Sequence, residues 1–218
     1  NISQNLPSTI MQNFAKVTTT TTDTVTGIFD SNATLFTFNP KEITVDNEDP
    51  GFRIIESNQK NKLQSFFKKE SEDKYKNLNF WMPPSRWTAT IGVNYYGDYI
   101  NSAVYKKSGS GSNKTEWTTQ IQIPGFYEVF VYTSELPMMG WRHRGGEEKK
   151  IQYYTVKHDD GEEEISVETG RGRQGWRTLG SFYFSKGEAK ITLSDKGSES
   201  NQIIFADAVK WVYTNNNK

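Results

Sequence analysis

The chain has 218 residues, with 26 basic and 26 acidic side chains and a formal net charge of zero. A zero net charge argues against an electrostatic role on nucleic acid or on a membrane surface, and no stretch is long and apolar enough to span a bilayer. Aromatic residues make up 14% of the chain, which is enough for one sizeable core, and cysteine is absent. The absence of cysteine is compatible with an exported bacterial protein, which need not carry disulfides.

The first part of the chain has little periodicity. Residues 1–24 are polar, which is typical of an extended leader or of the end of a preceding domain. Residues 25–38 have strand-like apolar pieces around the turn-like Asp30-Ser31-Asn32, which predicts a hairpin docked on the main domain. Because Asn1 is preceded by neither an initiator Met nor a signal peptide, we expect a piece of a longer protein.

The rest of the chain has the pattern of a β protein. A short strand at Ile43–Val45 ends before Pro50-Gly51, and the lysine-rich residues 58–77 have apolar spacing that predicts a short amphipathic helix. Alternating strands then follow at Trp117–Ile123, Phe126–Thr133, Ile151–His158, Glu163–Glu168, Thr178–Phe184, Lys190–Ser194 and Ile203–Tyr213. Turn signals every ~8–12 residues predict an antiparallel sandwich or barrel. We expect five aromatic residues of these strands in its core: Trp117, Phe126, Phe130, Phe205 and Trp211.

An acidic residue interrupts the last apolar strand. With a period of two, Asp207 shares one face of Ile203–Tyr213 with Phe205, Val209 and Trp211. A buried carboxylate without partners is costly. We therefore predict that Asp207 is buried and held by several donors or by a cation.

Several motifs in one order resemble a known family. They are Trp176-x-x-Leu179-Gly180, then Ala206-Asp207-Ala208-Val209-Lys210-Trp211, and upstream Val45–Phe52, Tyr99–Tyr105, Pro124–Tyr132 and Tyr154–His158. This series resembles the golvesin C-terminal-like domain, which is also found at the end of proteins labelled xanthan lyase in Bacteroides-type bacteria. The resemblance covers roughly residues 43–214, which we take as one domain between a segment at 1–42 and a tail at 215–218.

The resemblance implies a fold and a role. The fold is all-β, an antiparallel jelly-roll-like β-sandwich. The role is that of a non-catalytic, carbohydrate-binding-like accessory module of a secreted or cell-envelope bacterial protein, whose catalytic domain would lie elsewhere. Its partners would be polysaccharide or neighbouring domains of the same chain. A different class is an interaction module that packs against neighbouring domains and binds no sugar.

Catalysis within this chain has little support. The chain has two histidines, His143 and His158, no cysteine and no Gly-x-Ser-x-Gly motif. A glycosidase needs two carboxylates ~5–10 Å apart across a cleft, and none of the 26 acidic residues is marked as such a pair. An enzyme acting on polysaccharide is therefore the third alternative, and we expect no catalytic cofactor.

A structural calcium ion is one interpretation of the acidic residues. Asp46 and Asp49 follow the first strand of the sandwich and Asp207 lies in the last, and such strands can be neighbours. Hard carboxylate oxygens suit Ca²⁺. The alternative is that Asp46 and Asp49 cap turns, while Asp207 accepts hydrogen bonds from backbone N–H groups or an arginine.

Loop residues are the candidates for ligand contact, because binding residues favour loops on rigid sandwiches. The Gly- and Pro-bounded loop 136–146 carries Trp141 as a stacking platform. Polar contacts could come from Arg142, His143 and Arg144 in that loop and from Arg171 and Arg173, which suit uronate carboxylates. Trp87 and Tyr96 form a further patch. The alternative is that Trp141 plugs the end of the sandwich or packs on a neighbouring domain.

Overall fold

The computed structural model describes residues 25–29, 34–38, 41–56, 74–97, 99–134, 150–170 and 172–214. Within these residues the chain forms strands and no helix. In chain order they are β1 (Val25–Phe29), β2 (Thr34–Phe38), β3 (Glu42–Val45), β4 (Phe52–Ile55), β5 (Thr88–Ile91), β6 (Ser102–Lys107), β7 (Lys114–Ile121), β8 (Gly125–Thr133), β9 (Lys150–His158), β10 (Gly161–Thr169), β11 (Gly175–Phe184), β12 (Gly187–Gly197), β13 (Ile203–Ala206) and β14 (Val209–Thr214).

Two sheets form the main sandwich and a third adjoins it. The first sheet has the strand order β10-β9-β12-β7-β4, the second β11-β8-β14-β3, and the third β13-β6-β5. The strand pairs of these sheets are antiparallel. The predicted all-β antiparallel sandwich is therefore confirmed. No helix in the described residues is long and apolar enough to cross a membrane.

The N-terminal hairpin and the predicted helix have different outcomes. β1 and β2 pair antiparallel, with Val25 opposite Phe38, as the predicted hairpin requires, and its docking on the main domain stays a prediction. The amphipathic helix predicted over residues 58–77 falls mostly in 57–73, outside the described residues.

The main core lies between the two larger sheets. Trp117 of β7 and Trp211 of β14 are fully buried in it, as predicted. On β8 the inward residues are Tyr127, Val129 and Val131. Phe126 and Phe130 therefore point away from the core, and Phe126 is 44% exposed, which corrects their assignment to the core. Both faces of β8 carry aromatic side chains, so alternation alone could not tell which face is inside.

A second apolar cluster covers the outer face of the three-stranded sheet. Its buried residues are Tyr95, Ala103, Tyr105, Ile203 and Phe205, with Leu78 and Phe80 packed against it. The other face of the same sheet, with Val104, Ile204 and Ala206, belongs to the main core. This sheet is thus buried on both faces.

The last predicted strand is two strands in different sheets. β13 pairs with β6, whereas β14 pairs with β8 and β3. Between them the carbonyl of Asp207 accepts from Trp117 Nε1 at 3.1 Å, and the carbonyl of Ala208 accepts from the Tyr132 N–H at 2.8 Å. Phe205 and Trp211 therefore lie in different apolar clusters. These side-chain and cross-sheet bonds satisfy the backbone where the ladder is interrupted.

Candidate functional site

A groove of about 330 Å³ opens where the end of β3 meets the connection between β5 and β6. Its lining combines one short polar residue, three acids, two tyrosines and one aliphatic residue: Thr44, Asp46, Glu48, Asp49, Tyr96, Tyr99 and Ile100. We call it the Tyr96 groove. It brings together Asp46, Asp49 and Tyr96, which the sequence had suggested for two separate sites.

The acidic wall is a tight turn that follows β3. The Asp49 N–H donates to the Asp46 carbonyl at 3.1 Å, and the Asp46 N–H donates to Asp49 Oδ2 at 2.8 Å. The Asn47 N–H donates to Asp46 Oδ1 at 2.7 Å. Asp46 and Asp49 therefore act as turn caps, which was one of the two interpretations of these residues.

Glu48 belongs to a polar network that ties this turn to β6. Its carboxylate accepts from Ser102 Oγ at 2.7 Å and from the Tyr75 hydroxyl at 3.2 Å, and it is ion-paired with Lys74. Burial raises the pKa of Glu48, but the hydrogen bonds from Lys74 and Ser102 outweigh burial, so the pKa lies below its ordinary value. Glu48 is therefore a fixed negative charge on the groove wall.

The aromatic wall of the groove is formed by Tyr96 and Tyr99. The Tyr96 ring packs edge-on against Trp176 at 5.1 Å and contacts Tyr132 at 5.7 Å between centroids. The connection that carries it is closed by the Gly92 N–H donating to the Asn101 carbonyl at 3.0 Å. Beside it, Tyr99 is 98% exposed. This wall thus presents one anchored ring and one ring open to solvent.

Asp207 lies beneath the groove. It is 1% exposed, and its carboxylate accepts from Ser134 Oγ at 2.8 Å and from the Tyr96 N–H at 3.2 and 3.3 Å. Burial raises its pKa well above the ordinary value, the two donors lower it only in part, and the negative charge of Asp46 raises it further. The predicted burial of Asp207 is confirmed, and two donors, the Ser134 hydroxyl and the Tyr96 N–H, hold its carboxylate.

Calcium at this position stays a prediction. In the described part of the chain, no group of three or more His, Asp or Glu side chains is arranged to hold a metal ion. The N–H and O–H donors to Asp207 favour the hydrogen-bonded alternative for that residue. Added EDTA would lower the melting temperature only if the calcium interpretation of Asp46, Asp49 and Asp207 held.

Two other predicted ligand contacts, Trp87 and Arg173, do not line this groove. Trp87 is 8% exposed and belongs to the main core, so it has no open face for a ligand, which corrects the expectation for this residue. Arg173 forms an ion pair with Glu168 at 2.9 Å and is absent from the groove lining. Trp141, Arg142, His143, Arg144 and Arg171 lie outside the described residues, and their predicted role is untested.

Sequence reasoning missed two exposed aromatic residues. Tyr99 entered only the family motif Tyr99–Tyr105, and Trp81, which is 76% exposed, was not singled out. A signal was present for Trp81, because Pro83 and Pro84 follow it closely and disfavour a strand there. Tyr99 has no such signal, since its exposure depends on how the β5–β6 connection folds.

The architecture defines the chain as an antiparallel β-sandwich module with a mixed aromatic and acidic groove at one end. A family model described as the Golvesin C-terminal domain matches residues 78–213, more than half of the chain. The chain therefore belongs to the golvesin C-terminal domain family, which confirms the resemblance found in the sequence. Among curated proteins no significant match was found.

Solved structures support the same fold. The chain is similar to Paenibacillus xanthan lyase, with 20% identity and a TM-score of 0.55, over 84% of this chain and 14% of that one. It is also similar to Podospora anserina GH26-CBM35 β-(1,4)-mannanase, with 11% identity and a TM-score of 0.42, over 83% of this chain and 29% of that one. The similarity to the xanthan lyase shows the fold, whereas the TM-score of the mannanase is too low to support an argument. This chain thus spans a small part of each of these proteins.

Proposed function

We propose that this chain is a non-catalytic carbohydrate-binding module, and that the Tyr96 groove is its binding site. One observation carries the proposal: the same groove is lined by aromatic and aliphatic side chains and by carboxylates that can accept hydrogen bonds. A pyranose ring has apolar C–H faces and a rim of hydroxyl groups. It can stack on an exposed ring while its hydroxyls donate to carboxylates, as small-molecule sites commonly arrange.

Each wall has a separate task in this proposal. Tyr99 offers an open ring for stacking, and Tyr96, held by Trp176 and Tyr132, sets the depth of the groove. Asp49 is exposed at the rim, where its carboxylate can accept from ligand hydroxyls. The acceptors face the ligand with little reorganisation, because the turn that carries them is closed by its own hydrogen bonds.

The charge of the groove indicates which saccharides fit. Asp46, Glu48 and Asp49 line it, so a uronate carboxylate would meet like charge there. We therefore infer that the groove prefers neutral saccharides. This differs from the expectation of uronate recognition, which rested on Arg171 and Arg173.

We propose no catalytic cleavage of a glycosidic bond in this groove. Among the described residues, Asp207 has a carboxyl group whose pKa is raised well above its ordinary value, as a general acid would require. It is 1% exposed, however, and it is not among the lining residues. It cannot reach a glycosidic oxygen bound in the groove. The module would instead serve a larger bacterial protein, secreted or in the cell envelope, by holding polysaccharide near that protein's other domains.

Replacement of Tyr99 by alanine should weaken polysaccharide binding at least tenfold, because it removes the open stacking face. The measurement is affinity electrophoresis in gels containing galactomannan or hydroxyethylcellulose as neutral polymers and xanthan as an acidic one. We expect the parent protein to be retarded more by a neutral polymer than by xanthan. Dissociation constants in roughly the micromolar-to-millimolar range are expected for so small a contact.

A matched control is Tyr183→Ala. Tyr183 is also exposed, but it lies at the opposite end of β11 from Trp176 and packs on Phe126. Tyr183→Ala should bind polysaccharide like the parent protein. The melting temperatures of Tyr183→Ala and Tyr99→Ala should both lie near that of the parent. A parent protein that none of the three polymers retards contradicts the proposed function. Equal binding by Tyr99→Ala and the parent would place the site elsewhere.

A further inference from the structure

A second aromatic surface lies away from the Tyr96 groove. Trp81 is 76% exposed and Met82 is 77% exposed, side by side in the segment between Lys74 and β5. Singly exposed apolar residues are ordinary on protein surfaces. An exposed tryptophan is less ordinary when the chain on either side of it is tightly fixed, and that is the case here.

The segment is anchored on both sides of Trp81. The Asn79 N–H donates to the Tyr105 hydroxyl at 3.1 Å, and Leu78 and Phe80 pack on the second apolar cluster. The Met82 N–H donates to Asn79 Oδ1 at 2.9 Å, and the Pro84 carbonyl accepts from the Lys107 N–H at 2.8 Å. Two prolines, at 83 and 84, stiffen the backbone further. Trp81 is therefore presented to solvent by a rigid frame, which reduces the entropy lost when a ligand binds.

The groove wall and the segment that carries Trp81 both contact β6. Ser102, the first residue of β6, donates to Glu48 in the groove wall, and Lys107, the last, donates to Pro84. Five residue steps of a strand measure roughly 17 Å. The points at which the two surfaces contact β6 are thus on the order of 17 Å apart, a spacing too long for one sugar ring and within reach of an extended chain of several rings.

We propose that Trp81 is a second stacking subsite for the same polysaccharide chain that occupies the Tyr96 groove. This inference rests on the proposed function. The small size of the surface favours a glycan over a protein: one aromatic side chain buries about 150–250 Å², whereas a stable protein interface needs about 800 Å² on each partner. Two rigidly linked contacts strengthen binding of a polymer more than of a single sugar, since the second contact forms within the complex.

The test uses the full 218-residue chain with galactomannan, hydroxyethylcellulose and xanthan in affinity gels. The polymer for this comparison is the one that retards the parent most. Trp81→Ala should bind it about tenfold more weakly than the parent does, whereas Trp81→Phe, which keeps a ring, should bind it nearly as well as the parent. Because Trp81 is exposed, both variants should melt like the parent. In addition, the polymer should protect part of the tryptophan fluorescence of the parent from acrylamide, and Trp81→Phe should lack that protection.

The outcomes separate the two proposals. One result overturns the Trp81 subsite and leaves the groove proposal in place. In it, polymer retards the parent, Tyr99→Ala binds polymer more weakly, Trp81→Ala binds like the parent, and polymer gives no protection from acrylamide. Parent protein that binds no polymer overturns both. Trp81→Ala that loses self-association on a sizing column, with polymer binding unchanged, would show that the surface instead contacts a second copy of the chain.

Discussion

Asp195→Asn should lower the free energy of unfolding by about 3–5 kcal/mol, the largest effect that we expect from a single substitution. Asp195 and Lys106 are both buried and form an ion pair inside the sandwich. The carboxylate also accepts from the Gly111 N–H at 2.7 Å and from Asn113 Nδ2 at 3.0 Å. Asparagine would leave the Lys106 ammonium buried without its counter-charge. Urea denaturation at pH 7 measures the loss.

A double substitution tests the physical reason. Lys106→Met combined with Asp195→Asn removes both charges. The double variant should therefore lose less free energy of unfolding than the two single variants lose in sum. Glu163→Gln, which removes an exposed carboxylate from β10, is the matched control and should change stability by no more than about 0.5 kcal/mol. Additive losses in the double variant would contradict a coupled ion pair.

The stabilisation by the Asp195–Lys106 ion pair should depend on pH. Burial raises the pKa of Asp195, but the hydrogen bonds from Lys106 and Asn113 outweigh burial, and the pKa lies below its ordinary value. The folded state therefore binds this proton more weakly than the unfolded state does. The stabilisation is present above the unfolded pKa, near pH 4, and is lost as the pH falls through the folded pKa. We expect the stability gap between the parent and Asp195→Asn to narrow below about pH 4.

Asp207→Ala should cost about 2–4 kcal/mol, because the Ser134 hydroxyl and the Tyr96 N–H would lose their buried acceptor. Asp207→Asn keeps one acceptor oxygen in place and should cost less. Since Tyr96 lines the groove, Asp207→Ala should also weaken polysaccharide binding, whereas Asp195→Asn should leave binding of the folded protein unchanged. Thermal denaturation and the affinity gels measure the two effects. A melting temperature for Asp207→Ala equal to that of the parent would contradict this account.

The pH dependence of Asp207 has the opposite sign from that of Asp195. Burial and the nearby Asp46 charge raise the pKa of Asp207 in the folded state. The folded state then binds this proton more tightly, so the stabilisation is full below the unfolded pKa, near pH 4, and is lost as the pH rises through the folded value. As the pH rises from about 4 to that higher value, the free energy of unfolding of Asp207→Asn should therefore increase relative to that of the parent.

Much of the fold could be predicted from alternation and turn residues. Strands β7 to β12 lie close to the predicted ones, because their side chains alternate and their turns carry glycine. Trp117 and Trp211 are in the core as expected. Two errors within the strands share a cause: where both faces of a strand are apolar, the period of two does not tell which face is buried or where the strand breaks. This is why Phe126 and Phe130 were assigned to the wrong face and why the break between β13 and β14 was missed.

The sequence by itself determined the family, the sandwich class and the burial of Asp207, because ordered motifs, alternation and an acid among apolar residues are local properties of the chain. Only the tertiary structure decided that Asp46, Asp49 and Tyr96 share one groove, that Trp87 is core and that Tyr99 and Trp81 face solvent. Those facts depend on contacts between segments far apart in the chain. Ser102 with Glu48 and Tyr105 with Asn79 are such contacts, and no local pattern encodes them.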